Sequence, residues 1–344
     1  MTLRFAMLGA GFWSAFQLAG WHELDGLECV AICDPVQAKA EARAQPFGVP
    51  RVYTDPAELM AQETLDFVDV VTPVETHRPL VELAAGHGLH VVCQKPMGVD
   101  LAEAAAMVRT CEQAGVKLLI NENWRWQNPL RQFKRQLDAG AIGQPFRARI
   151  HYVNSFPVFD NQPFLKSLDQ FILTDIGSHI LDTARFLFGE AHTLYAQTHR
   201  VHPDIQGEDV ATVMMNMGDN ITVTCEMSYA SRTEIERFPE TYVYVEGRDG
   251  FLELGPDFWI RETTTQGTLA KRYPPPRYAW ADPAYDLIHS SIVPCQANLL
   301  CDLQGKGTAE TTGADNLKTC QLYFGAYESA ASNTVLQPGA SPSA

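Results

Sequence analysis

The arrangement best suited to moving a proton in this sequence is a histidine flanked by two aspartates, Asp175-Ile176-Gly177-Ser178-His179-Ile180-Leu181-Asp182. On a helix Asp175, His179 and Asp182 fall at i, i+4 and i+7, so they share one face. Imidazole titrates near neutral pH, and a neighbouring carboxylate can select its tautomer and steady an imidazolium. Taken alone, Asp-x-x-x-His also fits a surface pair or a helix end. A second group is Gly9-Ala10-Gly11-Phe12-Trp13-Ser14, which follows an apolar strand and opens a helix. Gly9 permits a tight turn, and Gly11 lets backbone approach a pyrophosphate. The helix N-terminus, where Phe12 and Trp13 stand, offers free N–H donors. Ser14 takes the place of a third glycine. Asp34 ends the next strand, where a carboxylate accepts hydrogen bonds from adenosine ribose hydroxyls, although it also fits a helix cap before Pro35. A 2′-phosphate beside it would meet repulsion of about 4 kcal/mol per charge pair at 4 Å and an effective dielectric of 20. NAD is therefore expected over NADP.

These groups need a scaffold, and the first 125 or so residues supply one by alternating apolar strands with helical stretches. Strands are expected at 3–8, 28–33, 67–72, 90–93 and 117–121, with helices at 16–24, 37–45, 76–85 and 101–114. A helix over 129–139 and a turn at 140–143 follow, and then the texture changes. Segments 145–154, 209–217, 220–229 and 241–246 alternate with period two: Ile221, Val223, Cys225, Met227 and Tyr229 make one face, Thr222, Thr224, Glu226 and Ser228 the other. Gly218-Asp219-Asn220 reads as a hairpin turn. A helix over 174–188 interrupts the strands, and two more, over 286–303 and 312–330, follow them. The expected fold is an α/β Rossmann domain (1–125) joined to an α+β domain (126–336) with a largely antiparallel open sheet for substrate and oligomerisation. A disordered tail is expected at 337–344.

Composition narrows the partners. Of 344 residues, 46% are hydrophobic and 19% charged, and no apolar run approaches the length of a membrane span. A net charge of −15 disfavours nucleic acid and anionic membranes and favours a small-molecule ligand. The eight cysteines form no C-x-x-C pair and read as reduced core thiols of a cytoplasmic protein. His199 and His202 lack a third ligand, so no metal is expected.

Thr72-Pro73-Val74-Glu75-Thr76-His77 and Cys93-Gln94-Lys95-Pro96 fall at C-terminal strand ends, where open parallel sheets bind ligands. With the G-A-G turn and the Asp175–Asp182 motif, their order and spacing resemble the Gfo/Idh/MocA family of sugar and inositol dehydrogenases across nearly the whole chain. The family shows Glu-Lys-Pro where this chain has Gln94-Lys95-Pro96, a neutral amide in place of a carboxylate. The resemblance implies that Lys95 contacts the reacting oxygen beside the nicotinamide and that Asp175 and His179 complete the catalytic set. It places Thr72, Pro73, His77, Gln94, Lys95 and Asn123 on the cofactor side, with Gly9, Gly11, Phe12, Trp13 and Asp34. Arg125, Asn154, Lys166 and Gln170 become substrate candidates beside Lys95, Asp175 and His179. Trp124 and Trp126 fit either an apolar wall for a sugar face or cement between elements. The expected activity is NAD-dependent oxidation of a hydroxyl or hemiacetal carbon of a small sugar or polyol by a homodimer or homotetramer. The stretch G-A-G-F-W-S-x-x-Q-L-A-G-W is similar to that of dehydrogenases acting on the branched pentose apiose. An NAD-dependent glycoside hydrolase and a non-catalytic NAD-binding sensor are the alternatives.

Overall fold

The computed structural model describes residues 2–234 and 237–339. The chain packs as two units, the first formed by Met1–Asn123, Tyr278–Ala284 and His289–Cys320, the second by Trp124–Arg277, Tyr285–Ile288 and Gln321–Ala344. Residues 278–284 and 289–320, expected in the second domain, thus pack with the first unit.

In unit 1, β1 (Leu3–Leu8), α1 (Ser14–His22), β2 (Leu27–Cys33), α2 (Gln37–Ala44), β3 (Arg51–Tyr53), α3 (Pro56–Gln62), β4 (Phe67–Val70), α4 (His77–Gly86), β5 (His90–Cys93), α5 (Leu101–Ala114) and β6 (Leu118–Ile120) alternate. The strands pair in parallel in the order β3-β2-β1-β4-β5-β6. Strand β3 and helix α3 are additions to the expected set. Three edge residues are too few to show a period, and Asp55, whose side chain accepts from Ala57 N, marks the start of α3. The strands are apolar on both faces because helices cover both: Phe5, Met7, Ile32, Phe67, Val68, Val70, Val91 and Val92 are all fully buried. Phe5 stacks on Phe67 with ring centroids 4.9 Å apart. One residue breaks the pattern, the equally buried Asp69 of β4.

Unit 2 contains α6 (Asn128–Asp138), β7 (Pro145–Val153), α7 (Val158–Asn161), α8 (Ile172–Asp175), α9 (Gly177–Phe188), β8 (Ala191–His199), β9 (Val210–Met217), β10 (Ile221–Ser228), β11 (Tyr242–Gly247), β12 (Gly250–Gly255), β13 (Trp259–Thr264) and β14 (Gly267–Arg272). Its eight-stranded sheet runs β14-β13-β12-β11-β7-β10-β9-β8; β7 and β10 pair in parallel and the others antiparallel. The alternation read from β10 holds as far as Met227, with Ile221, Val223, Cys225 and Met227 buried, but Ser228, expected on the other face, is buried too; the hairpin turn before it carries positive φ at Gly218 and Asn220. The opposite face exposes Arg147, Arg149, Thr212, Met214 and Thr222. Strands β8 and β12 to β14 exceed the expected four. The single helix expected over 174–188 is divided at Ile176 into α8 and α9.

Helices α10 (Asp286–Leu303) and α11 (Gly313–Ser332) close the chain. Of the expected tail, residues 337–339 include a turn and 340–344 lie outside the described residues. Among the described residues no helix is long and apolar enough to cross a membrane.

Candidate active site

The glycine loop of unit 1 is built as a dinucleotide requires. Gly9 has φ +101°, and a Cβ there would lie 2.5 Å from the Val71 carbonyl oxygen, so only glycine fits. A Cβ on Gly11 would meet no atom within 4 Å, which leaves that backbone open to a phosphate. Trp13 Nε1 is buried and has no hydrogen-bond partner among the described residues, so a donor is available beside the loop. Phe12 is largely exposed. Asp34 does not cap α2; its Oδ2 accepts from Ala10 N at 2.9 Å and its Oδ1 from Val36 N at 2.9 Å. The carboxylate therefore ties the glycine loop to the end of β2, and each oxygen retains a lone pair for a ribose hydroxyl. Ser14, fully buried, donates to Gly11 O at 2.6 Å and accepts from Arg43 Nε at 2.9 Å. The serine replacing a third glycine thus anchors a cation to the loop. These residues fit NAD.

The loops after β4 and β5 are joined by His77. This ring, expected on the cofactor side, is instead enclosed beneath both loops: Nε2 lies 3.0 Å from Thr72 O, and Nδ1 lies 3.1 Å from Pro96 O and 3.3 Å from Met97 O. Burial holds its pKa below the usual imidazole range. It braces the Thr72-Pro73 and Lys95-Pro96 segments against one another. Thr72 Oγ1 accepts from Thr76 Oγ1 at 2.7 Å. Gln94 Nε2 donates to Gln17 Oε1 at 3.1 Å, and Gln17 Nε2 donates in turn to Asp69 at 3.1 and 3.3 Å. Trp21 Nε1 at 2.6 Å and Asn121 Nδ2 at 3.3 Å complete the donors around Asp69. Burial pushes this carboxyl up to about 7 against the pull of those donors. Sequence reasoning missed Asp69; the signal was a lone carboxylate inside an apolar strand. Asn123 Nδ2 donates to Ser291 Oγ at 2.8 Å.

In unit 2, His179 sits on α9, 4% exposed, and lies nearly flat on the Trp124 indole at 4.4 Å and 21°. Trp124 is buried and fixed by its Nε1 donating to Thr241 Oγ1 at 3.0 Å, so the indole supports the imidazole. Trp126 carries the Arg131 guanidinium 4.1 Å above its ring. Asp175, half-buried at the end of α8, accepts from the Tyr229 hydroxyl at 3.3 Å.

One ion pair bears on two expectations. Asp182, expected to share a face with His179 and steady it, is fully buried and accepts from Arg125 Nε at 2.7 Å and Nη2 at 2.5 Å. Arg125, expected to bind substrate, makes that bidentate pair, and both groups lie too deep to remain charged alone. Asn154 is buried, and its Oδ1 accepts from Phe156 N at 3.0 Å, which shapes the turn after β7. Lys166 pairs with Asp204 at 2.5 Å on the surface, and exposed Gln170 lines an open cavity of about 420 Å³ with Arg200, Glu208 and Tyr327.

Known proteins match this chain over nearly its full length. The profile described as "Oxidoreductase family, NAD-binding Rossmann fold" matches residues 3–122, and that of the "GFO/IDH/MocA C-terminal domain" matches residues 130–253. A D-apiose dehydrogenase of Paraburkholderia graminis is 43% identical over 325 residues, 94% of this chain and 87% of that one. A D-apiose dehydrogenase of Rhizobium rhizogenes is 40% identical over 98% of both chains. A crystal structure of an oxidoreductase from Agrobacterium radiobacter, in complex with NAD+, L-tartaric acid and magnesium, superposes with a TM-score of 0.96 at 39% identity and 99% coverage of both chains. With both family profiles in sequence order and a glycine loop shaped for the dinucleotide, the chain belongs to the Gfo/Idh/MocA family and is an NAD-dependent oxidoreductase.

Proposed function

We propose that this chain oxidises the hydroxyl- or hemiacetal-bearing carbon of a small sugar, with the aldopentose D-apiose as its first substrate. The observation that carries this reading is the near full-length likeness to D-apiose dehydrogenases from two organisms. NAD, when bound, supplies the hydride acceptor. Gly9, Gly11, Trp13 and Asp34 hold it, with Phe12, Thr72, Pro73, Gln94 and Asn123 on the same side. At the end of β5, Lys95 donates to the reacting oxygen and stabilises charge on it. His179 takes the hydroxyl proton; its stacking on Trp124 fixes the plane in which the imidazole can receive it. Asp175, braced by Tyr229, binds a further sugar hydroxyl or passes the proton onward.

The same proposal puts the protein in the cytoplasm, where its cysteines, all thiols and seven of the eight buried, would stay reduced. It also makes the chain a homo-oligomer that packs the open face of the eight-stranded sheet against a second copy. The test is a screen of pentoses, hexoses and inositols by NADH absorbance, followed by Lys95→Ala and His179→Ala on the best substrate. Each variant should lose about a hundredfold or more in kcat while keeping its NAD dissociation constant. Near wild-type turnover in either variant overturns the assigned roles. Aglycone release without net NADH would identify a hydrolase instead. Light scattering that finds a monomer at micromolar concentration would refute the assembly.

A further inference from the structure

The hydrogen bonds from Gln94 through Gln17 to Asp69 have a direction, and the carboxylate sets it. An ionised carboxylate only accepts, whereas each amide side chain has one accepting and one donating end. Gln17 must therefore turn its NH2 toward Asp69, at 3.1 and 3.3 Å, which leaves its Oε1 toward Gln94. Gln94 must then donate its own NH2 to that oxygen, at 3.1 Å. The ends of this chain are held independently. Trp21 Nε1, a donor only, lies 2.6 Å from Asp69 Oδ2 and favours the ionised, accepting form. Gln17 is fully buried on α1, and its carbonyl accepts from Gln296 Nε2 at 2.8 Å, so the side chain starts from a fixed backbone.

We infer that Asp69 is a positioning residue for the cofactor: through Gln17 it orients the Gln94 amide so that Gln94 Oε1, turned away from Gln17, is offered to NAD as a hydrogen-bond acceptor. The donors such an oxygen recognises are a carboxamide N–H or a ribose hydroxyl. The inference rests on the reading that the end of β5 is a cofactor side. Purely structural polar groups would contribute to folding alone; this relay also determines which end of the Gln94 amide the cofactor meets.

A transposed charge tests the direction. In Gln94→Glu a carboxylate oxygen faces Gln17 Oε1, acceptor against acceptor, while Asp69 prevents Gln17 from turning. In Asp69→Asn the constraint on Gln17 is lost. In the double variant the new carboxylate at position 94 accepts from a turned Gln17, whose Oε1 accepts from the new amide at position 69, so the chain is satisfied in the reverse sense. NAD dissociation constants would be measured by calorimetry at about pH 8.5, with thermal unfolding of each protein followed in parallel. Gln94→Glu should weaken NAD binding about tenfold or more and Asp69→Asn by several-fold, and the double variant should recover most of the loss. Losses that merely multiply in the double variant, or wild-type affinity in Gln94→Glu, would overturn the relay. Should Asp69→Asn fail to fold, Gln17→Met severs the relay in the middle. Adding Gln94→Glu to that background should then cost less than about twofold, and a full penalty there would overturn the inference. The titration needs no sugar, so its failure is separable from failure of the substrate assignment.

Discussion

Replacing Asp34 with alanine separates the brace that the structure shows from the cofactor-selecting role proposed for the same side chain. Its oxygens accept from Ala10 N and Val36 N, both at 2.9 Å. Ala10 is buried at 7% exposure, so its N–H would be left without a partner, a loss of about 1–3 kcal/mol. Val36 is 50% exposed, and its N–H can turn to water for less than about 1 kcal/mol. Together these give about 1–4 kcal/mol and a fall of about 2–5 °C in Tm before any ligand is added. Calorimetric melting of the ligand-free variant reads this directly. Titration should then show NAD binding weakened by about tenfold or more and NADP binding changed much less, because the like charge facing a 2′-phosphate is gone. An unchanged ligand-free Tm would show that the loop is held by something else. A lower Tm with an unchanged NAD-to-NADP ratio would make Asp34 a brace and not a selector.

Gly9→Ala should cost about 2–4 kcal/mol from its left-handed backbone and its overlap with Val71, and should abolish measurable NAD binding; denaturant melts and calorimetry check both. Asp182→Asn should destabilise the fold by about 3–5 kcal/mol, since it strips the buried Arg125 of a bidentate partner; denaturation showing less than about 1 kcal/mol would contradict the pair's importance. Asp69, with its carboxyl pushed up to about 7, binds a proton more tightly in the folded chain than in the unfolded one. Its contribution to stability is therefore greatest at low pH and is lost as pH rises from about 4 to about 7, a change of up to about 4 kcal/mol. The stability difference between wild type and Asp69→Asn, measured across that window, should follow the same slope.

The parallel sheet and the glycine loop were legible because they rest on local rules: apolar runs of strand length, a positive-φ turn, a carboxylate at a strand end. The α10 bounds were legible for the same reason. The division at Ile176 was not, since the apolar spacing of 172–188 continues through it. Strands β13 and β14 were missed because an exposed edge ribbon such as Gly267–Arg272 has no buried face to imprint a period. At the candidate site, types and spacing put Asp175, His179 and Asp182 on one face of one helix, whereas Asp175 ends α8 and the other two lie on α9. Spacing could not show that Asp182 turns to Arg125, because that choice is made by a residue 57 positions away. Asp69 was hidden for the converse reason. Its partners lie on α1 and beyond the end of β6, and only the assembled sheet brings Gln17, Trp21 and Asn121 to one carboxylate.

The His77 ring has both nitrogens aimed at carbonyl oxygens, yet a neutral imidazole carries one hydrogen. Burial favours the neutral form, so at any instant the ring grips either the loop after β4 or the loop after β5, and presents a lone pair to the other. The two tautomers thus amount to two ways of sharing one proton between the loop that carries Thr72 and the loop that carries Lys95. A ligand that draws either loop forward would shift that balance, the N–H bond broken at one ring nitrogen being replaced by one formed at the other, with no helix displaced.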